Sequence, residues 1–347
     1  MIIFAIISTV MLGQVYKIHS DFYYVKPQNE NGDILTCKLR EVLKKQKIKI
    51  KVGDFVEIQD NEAIVNLLER KNTLSRPSVS NLDLVVVVSS LLEPSIDFKQ
   101  LNRYLTFLKY HNIPTLLCFN KDDLLKKEDF ENIKSEILKI YEPLGYEIVF
   151  TSALLKNGLK EFEKYINDKT IAFCGLSGVG KSSILNALSE QSLRVGNVSE
   201  KNKRGRHTTR HCEIIEFKNT KIIDTPGFSR LTFDFILPKD LDELFPDIKQ
   251  FKDGCKYANC LHTEDDENCN VIKNLDKIHK SRYESYLDFL EEAKEYKQKV
   301  TYESQKIETS TKKHLEKNFV KISSKKRGFS RKKINQQTKN IHYKEEN

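Results

Sequence analysis

A glycine-rich stretch at residues 175–183 constrains the fold of this chain more than any other feature. It matches the phosphate-binding pattern G-x-x-x-x-G-K-[ST] at every fixed position. A short apolar run, residues 170–174, precedes it and predicts a buried strand, and apolar residues at helical spacing follow it. Strand, glycine loop and helix in this order aim backbone N–H groups at phosphate oxygens. We therefore expect an α/β nucleotide-binding domain with phosphate contacts from Gly175, Leu176, Ser177, Gly178, Val179, Gly180, Lys181, Ser182 and Ser183.

Two further motifs indicate which base is bound. An Asn-Lys-x-Asp tetrad follows the apolar run 114–119, and a Thr-Ser-Ala triplet follows the strand-like run 146–150. The Asp123 carboxylate can accept two hydrogen bonds from guanine, whereas adenine offers no matching pair of donors. We expect Asn120 to link its loop to the phosphate loop and the Lys121 stem to lie over the base. The sequence thus predicts GTP rather than ATP, with base contacts from Asn120, Lys121, Asp122, Asp123, Ser152 and Ala153.

Magnesium ligands are predicted at three places. The Ser182 hydroxyl of the phosphate loop is the first. Asp224 begins an Asp-Thr-Pro-Gly motif, where its carboxylate can hold magnesium through water and the Gly227 N–H can sense the γ-phosphate. A basic loop between these motifs supplies the third ligand, either Thr208 or Thr209, and the sequence does not decide which.

The group that positions the attacking water is less evident. GTPases of the Ras type use a Gln directly after the Asp-x-x-Gly motif. Phe228 occupies that position here and cannot orient a water molecule. We expect slow intrinsic hydrolysis unless His207 or a partner supplies the function, and an ordinary loop histidine is the alternative reading of His207. Lys181 is expected to stabilise charge on the transferring phosphoryl group.

The order of the motifs is unusual. In Ras-type GTPases the phosphate loop comes first and the guanine motifs last. Here residues 120–123 and 151–153 precede residues 175–183, which precede residues 224–227. Circular permutation can preserve one sheet, because termini and loops lie at the surface. The order therefore predicts a circularly permuted GTPase.

The N-terminal region predicts a small barrel. Five strand-like segments separated by turn signals favour an OB-type Greek-key barrel; they are residues 14–18, 21–25, 34–38, 54–58 and 63–65. Lysines at 44–51, together with Tyr23 and Tyr24, suit contacts with nucleic acid, although a solvated lysine-rich edge strand is the alternative. Residues 69–81 are polar and are predicted to be a linker.

A cysteine and histidine cluster follows the GTPase motifs. Its members are Cys255, Cys260, His262 and Cys269, spaced Cys-x4-Cys-x-His-x6-Cys. Three thiolates and an imidazole complete a tetrahedral zinc ion, so the site would be structural. One alternative is that the cysteines are unrelated to a metal site. Another is that His279 is the fourth ligand. The helix predicted at 274–299 carries an apolar stripe that we assign to core packing.

Charge and composition suggest the partner and the compartment. The net charge is +9, and residues 301–347 carry +8 of it. A basic tail on a nearly neutral body indicates a polyanionic partner, and the tail is expected to be disordered and to seek RNA. Seven cysteines suit a reducing compartment. Residues 1–10 fit neither a signal peptide nor a membrane helix, and Met11 is an alternative start to Met1. We expect a cytoplasmic monomer with no membrane partner.

These motifs together resemble the ribosome small subunit-dependent GTPase A family over nearly the whole chain from Met11 to about Leu290. The last zinc spacing is one residue longer than is usual in that family, and the tail is longer. The resemblance implies a late assembly factor of the 30S ribosomal subunit. Such a factor binds 16S rRNA, hydrolyses GTP when the subunit stimulates it, and then leaves.

The expected fold is therefore multidomain. An OB-type barrel at 11–75 precedes a circularly permuted α/β P-loop GTPase at 82–235, and an α-helical zinc-binding domain at 236–300 precedes the tail at 301–347. The expected activity is GTP hydrolysis with magnesium. The alternatives are an RNA-binding module whose GTP site is mainly structural, and a permuted GTPase that acts on the large subunit.

Overall fold

The computed structural model describes residues 10–28, 33–195, 212–225, 231, 235–263 and 268–313. Its strands are β1 (Val10–His19), β2 (Phe22–Pro27), β3 (Leu35–Leu39), β4 (Phe55–Gln59), β5 (Ala63–Leu67), β6 (Thr73–Leu74), β7 (Val79–Ser80), β8 (Leu84–Ser90), β9 (Thr115–Asn120), β10 (Glu147–Thr151), β11 (Thr170–Cys174), β12 (Glu213–Phe217) and β13 (Thr220–Asp224). Its α-helices are α1 (Glu41–Lys45), α2 (Phe98–Tyr110), α3 (Lys127–Tyr141), α4 (Leu159–Ile166), α5 (Lys181–Val195), α6 (Pro246–Lys252) and α7 (Lys280–Lys313). Short 3-10 helices lie at Asp122–Leu124, Glu142–Leu144, Pro238–Asp240, Asp242–Leu244 and Ile272–Lys277.

The first five strands close into a barrel, as the sequence predicts. β1 pairs with β2 and β4, β2 pairs with β3, and β5 joins β3 to β4. Alternate residues of each strand point inward, and they build a core that includes Val15, Val25, Val56, Ile58 and Ile64, each with no exposed surface.

One alternative and one prediction about the barrel's surroundings are wrong, namely the edge strand at residues 44–51 and the linker at residues 69–81. The lysine-rich residues 44–51 do not form an edge strand, because α1 and a turn precede an irregular segment there. Residues 69–81 are not a loose linker, since β6 and β7 pair as a hairpin with Leu74 and Val79 fully buried. The buried Asp54 carboxylate fixes this segment by accepting hydrogen bonds from Arg70 and Ser80. The polar composition of residues 69–81 gave no indication that Arg70 pairs with the buried Asp54.

The central domain is built on parallel strands. β10, β9, β8, β11 and β13 lie side by side and parallel, and β12 pairs antiparallel with β13. β8 is buried on both faces, as its run of apolar residues predicts. Val85 and Val87 join one apolar core, while Val86 and Val88 join the core on the other face.

The barrel and the central sheet are continuous. β1 pairs with β12 at Lys17 and Glu213, and the side chains of these two residues form an ion pair of 2.8 Å. On the neighbouring part of β12, the Glu216 carboxylate accepts hydrogen bonds from the Tyr16 hydroxyl at 2.5 Å and from the Lys26 ammonium at 2.6 Å. Paired charges therefore fix the barrel to the hairpin of β12 and β13.

The C-terminal region packs against the GTPase helix α2. Tyr286, Phe289 and Leu290 of α7 are buried in a separate apolar core, which confirms that the stripe packs internally. The helix begins at Lys280, because residues 272–277 form a 3-10 helix, and it runs to Lys313, beyond residue 301 where the tail was predicted to begin. No helix within the described ranges has the length and apolarity needed to cross a membrane.

Candidate nucleotide site and metal cluster

The predicted nucleotide motifs meet at the carboxyl ends of the parallel strands. The phosphate-loop residues 175–180 connect β11 to α5, and the tetrad 120–123 begins on the last residue of β9. The triplet 151–153 begins at the end of β10, and Asp224 ends β13. Because these strands are parallel neighbours, four segments scattered over a hundred residues lie along one edge of the sheet.

Close packing explains two of the glycines in the phosphate loop. A Cβ atom at Gly175 would lie 2.2 Å from the Val88 carbonyl oxygen, and one at Gly180 would lie 2.1 Å from Asn120 Nδ2. Both glycines also have positive φ, +143° and +98°. The loop therefore needs glycine for its backbone conformation and for its close approach to β8 and β9.

A buried amide joins three of the loops. Asn120 Nδ2 donates to the Val179 carbonyl at 3.0 Å, which is the link to the phosphate loop that the sequence predicts. Asn120 Oδ1 accepts from the Thr151 hydroxyl at 3.2 Å and from the Ala153 N–H at 3.1 Å. This side chain uses donor and acceptor together and sets the spacing of the tetrad, the triplet and the phosphate loop.

The carboxylate predicted to contact guanine is held in place. The Ser152 hydroxyl donates to Asp123 Oδ1 at 2.5 Å and accepts from the Leu155 N–H at 2.9 Å. Burial raises the pKa of the neighbouring Asp122, and the Asp123 charge raises it further. Lys121 has positive φ, 67°, and its ammonium donates to the Glu93 carbonyl.

Lys181 lies inside the phosphate loop. Its Nζ donates to the carbonyls of Gly175 at 2.8 Å and Leu176 at 2.7 Å, and burial lowers its pKa. The side chain of Ser182 is exposed at the start of α5. The Thr225 hydroxyl donates to the Phe173 carbonyl at 3.3 Å, which fixes the chain just after Asp224 beside the phosphate loop.

Sequence reasoning missed one wall of the site. The loop between β8 and α2 carries no nucleotide motif, yet Glu93 contacts Lys121 and the Pro94 ring lies 3.9 Å from the Cβ position of Gly178. The same loop lines a small cavity together with Leu176 and Val179. Five further predicted residues lie outside the described part of the chain, namely His207, Thr208, Thr209, Gly227 and Phe228.

The predicted metal ligands converge on one point. The ligand atoms of Cys255, Cys260, His262 and Cys269 all lie within 4.8 Å of one another. His262 Nδ1 is 3.4 Å from Cys269 Sγ and 3.6 Å from Cys255 Sγ, and the imidazole is buried. Three thiols and one imidazole are the donor set that zinc prefers, so these residues can hold a metal ion. His279 is not in the group and bonds to Ser281 instead.

A guanine tetrad, a phosphate loop and an Asp at a strand end, in this order along the chain, define the class as circularly permuted P-loop GTPases. A family model described as RsgA GTPase matches residues 67–234, and one described as RsgA N-terminal domain matches residues 12–64. A third, described as 50S ribosome-binding GTPase, matches residues 170–319.

Curated relatives cover most of the chain. The "Small ribosomal subunit biogenesis GTPase RsgA" of Clostridium botulinum (strain Langeland) is 39% identical over 289 residues, covering 81% of this chain and 97% of the relative. The protein of the same name from Agathobacter rectalis is 37% identical over 302 residues, covering 82% and 98%. The chain belongs to the RsgA family of GTPases.

Solved structures support the same assignment. YjeQ from Thermotoga maritima superposes with a TM-score of 0.70 at 32% identity, covering 82% of this chain and 99% of that one. YloQ, described as a circularly permuted GTPase, superposes with a TM-score of 0.69 at 32% identity, covering 83% and 96%.

Proposed function

We propose that this protein hydrolyses GTP during assembly of the small ribosomal subunit, binds its rRNA and leaves on hydrolysis. The observation that carries the nucleotide part is the Asn120 amide, which joins both guanine loops to the phosphate loop. The ribosomal part rests on family membership, because the relatives that cover most of the chain are named small ribosomal subunit biogenesis GTPases.

The nucleotide would bind along the carboxyl edge of the sheet. Backbone N–H groups of residues 175–183 would face the phosphates, and the Lys181 ammonium would exchange two loop carbonyls for phosphate oxygens. The Asp123 carboxylate, oriented by Ser152, would accept hydrogen bonds from guanine. Lys121 and Asp122 would complete the base contacts, and Asn120 would hold the base loops against the phosphate loop. Ser152 and Ala153 would border the base, because their backbone N–H groups already donate to the Asn157 carbonyl and to Asn120 Oδ1.

Hydrolysis would proceed by in-line attack of water on the γ-phosphate. Ser182, Asp224 and one of Thr208 and Thr209 would hold magnesium, which neutralises charge on the phosphate oxygens. Lys181 would stabilise the same charge during transfer. His207 is the candidate to orient the water, with the 30S subunit as the partner that stimulates hydrolysis.

The C-terminal cluster would hold a structural zinc ion through Cys255, Cys260, His262 and Cys269. The support is the donor set, which saturates a tetrahedral ion and leaves no open position for a substrate. Such an ion would hold together the chain around Cys255 and Cys260, where the intervening residues 256–259 are exposed and bury no apolar side chain.

The barrel and the basic C-terminus would contact 16S rRNA in the 30S subunit. Arg40, Lys44, Lys45 and Lys47 are exposed around α1 and supply positive charge, although Lys44 pairs with Glu41 and Arg40 donates to Gln59. Ribosome assembly takes place in the cytoplasm, and we assign the protein to that compartment as a monomer.

GTP turnover with purified 30S subunits tests this proposal, with 50S subunits as the control. We expect strong stimulation by 30S alone, and a Lys181→Ala variant should lose at least about 100-fold in kcat. The matched control is Lys164→Ala, an exposed lysine on α4. Stimulation by 50S alone would favour the large-subunit reading, which the 50S ribosome-binding GTPase match motivates. Unchanged function in Lys181→Ala would leave an RNA-binding module with a structural GTP site.

A further inference from the structure

The imidazole of His262 has two nitrogens in different surroundings. Nδ1 faces the sulfur atoms of Cys255 and Cys269 at 3.6 and 3.4 Å. Nε2 points the other way and lies 3.2 Å from Oδ2 of Asp242. A neutral imidazole that gives one nitrogen to a metal carries its proton on the other, and that proton needs an acceptor. The Asp242 carboxylate is the acceptor at hydrogen-bond distance.

We propose that Asp242 is a positioning residue of the metal site, and that it fixes the His262 tautomer in which Nδ1 binds the metal. The inference rests on the proposed zinc site and goes beyond it, because it assigns the ligand nitrogen and a residue outside the ligand set. Asp242 lies 13 residues before Cys255, in the 3-10 turn Asp242–Leu244, and no spacing motif includes it.

The surroundings of Asp242 indicate a dedicated role. Its side chain is 4% exposed, and Lys252 Nζ donates to the same Oδ2 at 2.8 Å. Oδ1 has no hydrogen-bond partner among the described residues. A buried carboxylate with one unused oxygen is unfavourable for folding, so the bonds that its other oxygen forms with Lys252 and His262 must offset that cost.

The charges around the metal site allow Asp242 to accept the His262 N–H. A divalent ion with three thiolates and a neutral imidazole has one net negative charge, and the Asp242 carboxylate adds a second. The Lys252 ammonium, which also pairs with Glu243 at 2.9 Å, offsets part of this charge beside the cluster. The carboxylate can therefore stay ionised and act as a strong acceptor for the His262 N–H.

Other contacts around His262 are made to backbone carbonyl groups. The Tyr283 hydroxyl donates to the His262 carbonyl at 2.9 Å, and the Tyr286 hydroxyl donates to the Leu261 carbonyl at 3.1 Å. Neither bond selects a ring nitrogen. Asp242 is the described residue that makes the selection.

The first measurement uses the unaltered, zinc-loaded protein. Long-range proton–nitrogen correlation spectra of ¹⁵N-histidine-labelled protein distinguish a metal-bound Nδ1 from a metal-bound Nε2. We expect His262 to show Nδ1 bound and Nε2 protonated. A metal-bound Nε2 would overturn the inference. Purified protein without zinc would instead refute the metal site on which the inference rests, so the two failures are distinct.

The second measurement is the rate of zinc loss to a chelating dye from Asp242→Ala and Asp242→Asn proteins. Loss of an outer carboxylate partner weakens metal binding by about 10- to 100-fold, so Asp242→Ala should release zinc faster by that factor. Asp242→Asn keeps an acceptor oxygen and should fall between Asp242→Ala and wild type. The matched control is Glu243→Gln, which alters the neighbouring carboxylate paired with Lys252 but has no bond to His262. Wild-type release rates in Asp242→Ala would overturn the proposal.

Discussion

Replacement of Arg282 by Met should destabilise the protein more than the loss of an exposed ion pair between the same two helices, α2 and α7. Arg282 is 1% exposed and forms two hydrogen bonds of 2.9 Å with the Asp247 carboxylate. A third bond, 3.0 Å long, reaches Asn102 Oδ1 on the GTPase helix α2. Burial alone would lower the pKa of Arg282, but the bonds with Asp247 outweigh it and raise that pKa.

The magnitude follows from what the substitution leaves behind. Removal of one partner of a buried ion pair costs about 3–5 kcal/mol, because the remaining charge stays buried without compensation. The guanidinium also lies 4.5 Å from the Phe245 ring centroid, a contact that Met replaces only in part. The double variant Arg282→Met/Asp247→Leu removes both charges and should recover most of the loss.

Urea unfolding followed by circular dichroism of the helices measures the change. The matched control is Lys99→Met, which breaks the ion pair between Lys99 and Asp288 on the same pair of helices. That pair is about half exposed on each side, at 54% and 49%, so its loss should cost less than about 1 kcal/mol. A loss below about 1 kcal/mol for Arg282→Met would refute the reasoning. So would a double variant as unstable as the two single changes added together.

Three further predictions concern other parts of the molecule. Gly180→Ala should weaken GTP binding at least about 10-fold in a fluorescent-nucleotide titration, since its Cβ would meet Asn120, whereas Gly145→Ala, with positive φ but open space around it, should not. Burial would raise the pKa of Glu216, but hydrogen bonds from Lys26 and Tyr16 outweigh it and hold that pKa below 4.5 in the folded protein. The ionised Glu216 therefore stabilises the fold above pH 4.5, and this stabilisation is lost as the pH falls through the pKa of the folded state. Glu216→Gln should flatten this part of the profile of Tm against pH, and an unchanged slope would contradict the assignment. Cys260→Ser, or a chelator, should lower the Tm of the C-terminal region, and equal metal content in variant and wild type would argue against the ligand set.

Local sequence was enough to determine the nucleotide-binding elements. The phosphate loop is readable because its backbone requires glycine and its chemistry requires Lys181 and Ser182 at fixed spacing. The barrel strands are readable from alternating residues, and the four residues that can hold a metal ion are readable from a short cysteine and histidine spacing. Each of these signals lies within about twenty consecutive residues, where chain geometry links neighbours directly.

Only the tertiary structure decided how the parts are joined. Asn102 and Arg282 are 180 residues apart, and Tyr16 and Glu216 are 200 apart. No periodicity or spacing connects such pairs, because each partner alone is an ordinary polar residue whose role depends on which surface it meets. Polar residues 69–81 read as a linker for the same reason, although Arg70 reaches a buried carboxylate. Local backbone and ligand chemistry can be read along a sequence, whereas a long-range ion pair exists only once folding brings its two charges together.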